Sequence, residues 1–364
     1  MVTGPGAAGG DGAGVVVADA PRIAGLRFRA YAGPADAGAL ADVLNAESAA
    51  EGIDEYVTAD EIAAEMEHAT EEDPRRTLVV AEIDGRIVAF ARRAWRDRGV
   101  FVAYEHTGFV HPDVGRRGLG RALLRHQAAA LQALAAVHAR EARAAATPGA
   151  PRAAAPADRV LFSWTDTRRR GAMALLDAEG YAPVRWYLDL ERPSLDDLPV
   201  ASLPPGIDMR APDGSDEALL RAALAAEDEA FRDHWGHHAM TDDDAAAVLA
   251  EPDLDPSLWR LAWDGDAIAG VIRAIVYTEE NARLGHRRAW IDHLSVRRQW
   301  RGRGIARALM ITVMADARRR GLTSAWLGVD TDNTTGALGL YERLGFERRS
   351  AVMACTKAIA PTEG

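Results

Sequence analysis

The chain has one cysteine, Cys355, among 364 residues. It can form no internal disulfide and build no thiolate metal cluster, and Cys355 reads as a small apolar residue buried in a strand. Long apolar runs are also missing; none approaches the ~20 residues that span a bilayer. The first twenty residues contain no Lys or Arg and are rich in Gly and Ala. They lack the basic start and apolar core of a secretory signal, so residues 1–22 are expected to be a disordered tail and the protein cytoplasmic. Positive charge is in deficit, with a net charge of −11. Such a surface argues against nucleic acid and anionic membranes as partners and suits a cationic small molecule.

The rest of the composition is that of a globular protein, 48% hydrophobic and 27% charged. The length fits two domains of about 150–200 residues. Strand and helix patterns run through residues 26–190, with a hairpin signal at Asp84-Gly85 and a capping box at Thr58–Glu61. Residues 142–157 are an Ala/Pro-rich stretch that reads as a flexible insertion after a long helix. Residues 192–205 (RPSLDDLPVASLPP) are the expected linker. The pattern then restarts from residue 206. Asp84-Gly85 is matched by Asp264-Gly265 180 positions on, Gly118 by Gly304 186 positions on, and Gly180 by Gly345 165 positions on. A repeat of that length is a duplicated domain rather than a solenoid.

Both copies carry a strand, a glycine-rich turn and a helix start. In the second copy this is Trp290–Leu309, WIDHLSVRRQWRGRGIARAL. Such a turn suits phosphate: small residues let the backbone approach, the first helical N–H groups lack partners, and Arg301 and Arg303 add positive charge.

At Arg301-x-x-Gly304-x-Ala306, followed by Asn333, Tyr341 and Gly345-Phe346, the chain resembles the GNAT (Gcn5-related N-acetyltransferase) superfamily. In its two-domain layout it resembles the mycothiol synthases, in which the second domain carries the activity. The resemblance implies an α/β (α+β) fold of two GNAT domains in tandem, residues 23–191 and 206–364. Each is expected to have a mixed, mostly antiparallel sheet with flanking helices. It also implies acetyl-CoA as co-substrate, a small-molecule amine as acceptor, no metal, and a monomer or homodimer.

Residue by residue, the resemblance puts pyrophosphate on the backbone of Arg301, Gly302, Arg303, Gly304 and Ala306. It puts the pantetheine arm along Leu294 and Val296, in the manner of strand addition, with Asn333 near the arm. Asp292 stands where the family often carries a carboxylate acting through water and is the expected general base. Tyr341 stands where the family often places the acid for the leaving thiolate. His293, next in the strand, is expected on the opposite face from Asp292. Asp233 and Trp235, after the first helix of the second copy, are the expected acceptor contacts. They would hold a cation and stack on a ring. The first copy keeps Gly118 and Gly120 and has Arg116 and Arg117 near them, but has Gly115, Arg168 and Leu176 where the second has Arg301, Asn333 and Tyr341. It is expected to be non-catalytic.

Overall fold

The computed structural model describes residues 14–67, 72–98, 101–145, 158–235, 237–332 and 336–359. Asn333 and most of the Ala/Pro-rich stretch lie outside the described residues. The first half contains strands β1 (Leu26–Ala30), β2 (Leu78–Ile83), β3 (Arg86–Asp97), β4 (Phe101–Val110), β5 (Asp158–Asp166) and β6 (Ala182–Arg192). Its helices are α1 (Ala37–Ala50), α2 (Ala59–Glu67), α3 (Pro74–Thr77), α4 (Leu119–Ala145) and α5 (Arg170–Ala178). The second half contains β7 (Ile207–Arg210), β8 (Arg260–Asp264), β9 (Ala267–Ile275), β10 (Arg288–Val296), β11 (Ser324–Asp330) and β12 (Glu347–Ala358). Its helices are α6 (Glu217–Phe231), α7 (Asp242–Leu249), α8 (Thr278–Leu284), α9 (Ile305–Arg319) and α10 (Ala337–Arg343).

Local chemistry explains much of this. Asp84 and Gly85 both take positive φ, 51° and 83°, the geometry of a tight hairpin turn whose twist matches its strands. Thr58 Oγ1 accepts from the Glu61 amide, and a Glu61 carboxylate oxygen accepts from the Thr58 amide, which starts α2 as a reciprocal cap. Leu40, Val43 and Leu44 share the buried face of α1. α9 buries Leu309, Met310, Val313 and Met314. At ~1.5–3 kcal/mol for each large apolar side chain, that face fixes the helix, and with it the turn that precedes it.

The two copies do not form two separate sheets. All twelve strands form one sheet in the order β1-β2-β3-β4-β5-β12-β6-β11-β10-β9-β8-β7. β12 of the second half lies between β5 and β6, antiparallel to both. β6 of the first half lies between β12 and β11, again antiparallel to both. Each half thus supplies six strands and takes the other half's last strand into the gap between its own fifth and sixth.

The expected linker is correspondingly shorter than its composition suggested. Leu195 is fully buried and its amide donates to the Thr323 carbonyl. Arg192 reaches the Leu344 carbonyl and Asp197. The expected tail is shorter too, because the Val15 amide donates to the Phe28 carbonyl and Val17 is buried against β2 and β3. Among the described residues no helix is long and apolar enough to cross a membrane.

Candidate active site

Two parallel strands separate where the repeat placed its phosphate turns. β10 and β11 pair from Arg288↔Ser324 to Ile291↔Leu327, and no pair follows, although both strands run on. β4 and β5 do the same, with Glu105↔Phe162 as their last pair. A splayed pair leaves a wedge with unused backbone groups on its walls.

On the β9 side, the Arg297 amide donates to the Ala269 carbonyl, and Ser295 stands opposite Val271. Alternation along an antiparallel ladder then turns the N–H and C=O groups of Leu294 and Val296 away from β9, and of these four the Val296 carbonyl already accepts from Arg301. A flexible amide-bearing chain can pair with that edge as an added strand.

Beyond the wedge, the turn has a backbone that suits an anion. Gly302 and Gly304 take φ of 76° and 86°. A Cβ at either would meet no atom within 4 Å, so glycine is required there by conformation and not by crowding. The first helical bond of α9 runs from the Ala308 amide to the Gly304 carbonyl, and no side chain caps the helix. The amides of Ile305, Ala306 and Arg307 are left without partners inside the helix, at its positive end.

Arg301 does not extend toward these amides. Its Nε donates to the Val296 carbonyl (3.0 Å), Nη2 to the Ala230 carbonyl (2.6 Å), and Nη1 lies 3.3 Å from Asp233. It bolts the turn to the C-terminal end of α6, where a cation is favoured. Arg303 is the more exposed charge, 3.6 Å from Asp264. Trp300 also donates to Asp264, at 2.8 Å, so the hairpin tip braces the turn.

The expected acceptor contacts are otherwise engaged. Asp233 pairs with Arg301. Trp235 packs on Phe101 of β4, with ring centroids 5.2 Å apart, and the Arg185 guanidinium lies 5.1 Å from its ring centre. It joins the two halves. His237 and His238 face different carboxylates, Asp228 and Asp244.

The chemistry-bearing cluster sits at the apex of the wedge. Asp292 follows directly on the last β10–β11 pair. The register of β10 against β9 shifts between Ile291 and His293, and such a bulge breaks the strict alternation of side chains. The expectation of opposite faces is therefore overturned. His293 Nδ1 is 2.9 Å from Asp292 Oδ2, and Arg273 Nη2 is 2.8 Å from the same oxygen. Behind them Arg273 and Glu227, both 2% exposed, pair at 3.1 Å.

Burial alone would raise the Asp292 carboxyl, but the charge and hydrogen bond of His293 and the charge of Arg273 outweigh it and hold it at about 2. Burial lowers the His293 imidazole, yet Glu227 and Asp292 outweigh that and raise it above its ordinary value. A carboxyl held this low is poorly matched to an ammonium of pKa ~10, and the raised imidazole beside it is closer to it.

His293 opens onto a cleft of about 670 Å³ between the halves, lined also by Glu61 and Glu65 of α2 and by Glu251, Asp253 and Tyr277. Glu251 remains open to this cleft, yet the enclosing wall and the nearby Asp292 charge push it up to about 7. Carboxylates outnumber Arg92, Arg93 and Arg96 in the lining, which suits a cationic amine.

Tyr341 is 8% exposed and packs against Phe346, with ring centroids 5.9 Å apart. Burial lifts its phenol to about 12, so it holds its proton at any ordinary pH. Donation to a thiolate of pKa ~8.5 is uphill by about 3.5 units, ~5 kcal/mol, small against the ~16 kcal/mol barrier of a ~10 s⁻¹ reaction.

The first copy keeps the cradle without its sequence. Arg116, at the Gly302 position, takes φ 59°, Gly118 takes 90°, and the Ala122 amide bonds the Gly118 carbonyl as Ala308 bonds Gly304. Gly118 and Gly120 line a cavity of about 1220 Å³. At the Asp292 position stands His106, buried, bonded to the Tyr181 hydroxyl at 2.7 Å and lowered by burial to about 4. Leu176 is a buried core residue.

Sequence reasoning missed Arg273 and Glu227. Both left a signal: an arginine inside the apolar run AIAGVIRAI, and a glutamate on the Ala223–Ala230 face of α6. Charges in such places need partners.

Comparison with known proteins agrees with this geometry. A family model described as acetyltransferase (GNAT) family matches residues 41–148 and 220–346. A mycothiol acetyltransferase from Geodermatophilus obscurus is 30% identical over 337 residues, covering 89% of this chain and 95% of its own. One from Salinispora arenicola is 34% identical over 282 residues, covering 76% and 80%. A GCN5-related N-acetyltransferase from Sphaerobacter thermophilus superposes with a TM-score of 0.63 at 27% identity, covering 92% of this chain and 96% of that one. A tandem GNAT protein of the clavulanic acid biosynthesis pathway shares the fold, with a TM-score of 0.61 at 18% identity over 93% and 100%. With its paired wedges and paired turns, the chain belongs to the acetyltransferase (GNAT) family and is an acetyl-CoA-dependent N-acetyltransferase.

Proposed function

We propose that the second half, residues 206–364, carries the activity and moves the acetyl group of acetyl-CoA to the primary amine of a small cationic molecule by direct attack. The observation that carries this reading is the alignment of three features along one strand. The uncapped α9 start and its glycine turn suit the pyrophosphate, the Leu294 and Val296 backbone suits the pantetheine arm, and the acidic cleft opens beside Asp292 at the apex of the wedge. Acetyl-CoA supplies the activated acyl group. Gly302, Arg303, Gly304 and Ala306 hold its phosphates, and Tyr341 is the proton donor for the departing thiolate. Arg301 serves by fixing the turn. The first half does not catalyse, since Leu176 offers no proton where Tyr341 does.

A narrower reading takes the acceptor to be the amine precursor of mycothiol. Support for it is the 30% identity to a mycothiol acetyltransferase across 95% of that enzyme's length. A third reading, an acyl-CoA-binding regulator without turnover, is disfavoured by the ionisable cluster at the wedge apex.

Calorimetry with acetyl-CoA, followed by free-thiol release with an amine panel that includes the mycothiol precursor, separates the three. Release with simple amines supports the general reading, and release confined to the precursor supports the narrower one. Tight binding with no release leaves the regulator.

A further inference from the structure

We propose that His293 takes the acceptor's proton through its Nε2 atom, and that Asp292 and Arg273 serve as positioning residues that fix its ring. The proposal rests on the acetyl-transfer reading of the second half and deepens it.

The geometry comes from the bulge in β10. A regular strand would send His293 to the face opposite Asp292. The register shift between Ile291 and His293 brings both side chains to one side instead. Asp292 Oδ2 then lies 2.9 Å from His293 Nδ1 and 2.8 Å from Arg273 Nη2. The guanidinium also comes within 2.5 Å of Nδ1. A guanidinium only donates, so Nδ1 faces a donor in Arg273 and an acceptor in Asp292. The proposal requires the Asp292 contact to prevail, with the ring proton on Nδ1 and the lone pair on Nε2.

The ring packs edge-on against Phe231 of α6, centroids 5.6 Å apart, and its side chain is 41% exposed, toward the cleft. The charged and titratable groups around it are Asp292 on its own strand, Arg273 on β9, Glu227 on α6 at 3.8 Å, and Glu251 and Tyr277 across the cleft.

The steps balance. The bound ammonium gives one proton to Nε2, which passes it to solvent. The amine nitrogen attacks the thioester carbonyl, the C–N bond forms and the C–S bond breaks. The nitrogen's second departing proton goes to solvent and replaces the one Tyr341 gives to the sulfur. The deprotonated imidazole is the working form. Because the surrounding carboxylates raise its pKa, activity is expected to climb with pH through a value above ~6.5.

The test uses the full chain, acetyl-CoA, and ethanolamine, glucosamine and putrescine as acceptors, with thiol release as readout. His293→Gln is expected to lower kcat ~10²–10⁴-fold, erase the acidic limb of the pH–rate profile, and leave acetyl-CoA affinity unchanged by calorimetry. Asp292→Asn is expected to move that limb to lower pH. In ¹⁵N-histidine NMR, neutral His293 is expected as the Nδ1–H tautomer. A His293→Gln enzyme with wild-type kcat and an unchanged acidic limb overturns the proposal, as does an Nε2–H tautomer. If the wild-type chain releases no thiol with any amine, the acetyl-transfer reading fails first and takes this proposal with it. Release by the wild type with an unaffected variant sinks the proposal alone.

Discussion

Separating the halves tests the exchanged strands. β6 makes six register pairs with β11 and nine with β12. A fragment 206–364 loses all of them, because β6 belongs to the other half. At roughly 0.5–1.5 kcal/mol net per ladder hydrogen bond, and about one bond per register pair, the loss is on the order of 10 kcal/mol. Burial of Leu190 adds ~1.5–3 kcal/mol more. That matches the whole stability of a typical domain, ~5–15 kcal/mol. Fragment 1–205 is in the same position, with an empty slot between β5 and β6 where β12 belongs.

The two fragments alone are therefore expected to aggregate, stay unfolded, or pair with a second copy, and to form a folded 1:1 complex when co-expressed. Cutting the exposed stretch between Val200 and Leu203 in the intact protein should leave the halves together. Light scattering after size exclusion and thermal melts by circular dichroism read the result. A monomeric 1–205 fragment with a cooperative melt within a few degrees of the full chain would refute the reasoning.

Other consequences are more local. Arg273→Met leaves Glu227 buried without its partner and is expected to cost ~3–5 kcal/mol of stability, read as a drop in the urea midpoint; a loss below ~1 kcal/mol contradicts the pairing. Gly304→Ala puts a side chain at φ 86°, a strain of ~1–2 kcal/mol; acetyl-CoA affinity by calorimetry is expected to fall, and an unchanged affinity would remove the turn as its grip. The Asp292 carboxyl, depressed to about 2 from an ordinary ~3.9, contributes stability present above the ordinary value and lost as pH falls toward about 2. Asp292→Asn should therefore flatten the stability–pH curve between about pH 5 and pH 2, by about 2 kcal/mol in all; a curve of unchanged steepness counts against the ion pair.

Local order in this chain is legible in its sequence because local chemistry sets it. Asp84-Gly85 can make only a few turns, Thr58–Glu61 caps itself, and Gly302 and Gly304 mark a left-handed backbone. The repeat offsets correctly aligned the two turns, which share their backbone path even where Arg116 replaces glycine. The strand exchange was not legible, since β6 and β12 would look the same whichever half they completed. The bulge at Ile291–His293 hid for a related reason. It depends on pairing with β9, and strict alternation had sent His293 to the wrong face. Arg301 was recognised by its place in a motif, but its side chain answers to Val296 and Ala230 across the fold. Trp235 advertised a ring for stacking, and the ring it meets is Phe101 of the other half.

The central claim is that the second half transfers the acetyl group with Tyr341 as proton donor. Tyr341→Phe removes one hydroxyl from a buried ring and leaves the turn and the wedge intact. Thiol release and acetyl-CoA calorimetry on the full chain, with a Leu176→Ala control in the first half, measure it most directly. The expected result is a kcat lowered ~10²–10⁴-fold with unchanged acetyl-CoA affinity in Tyr341→Phe, and near-normal specific activity in whatever Leu176→Ala protein folds. Full turnover by Tyr341→Phe would contradict the account.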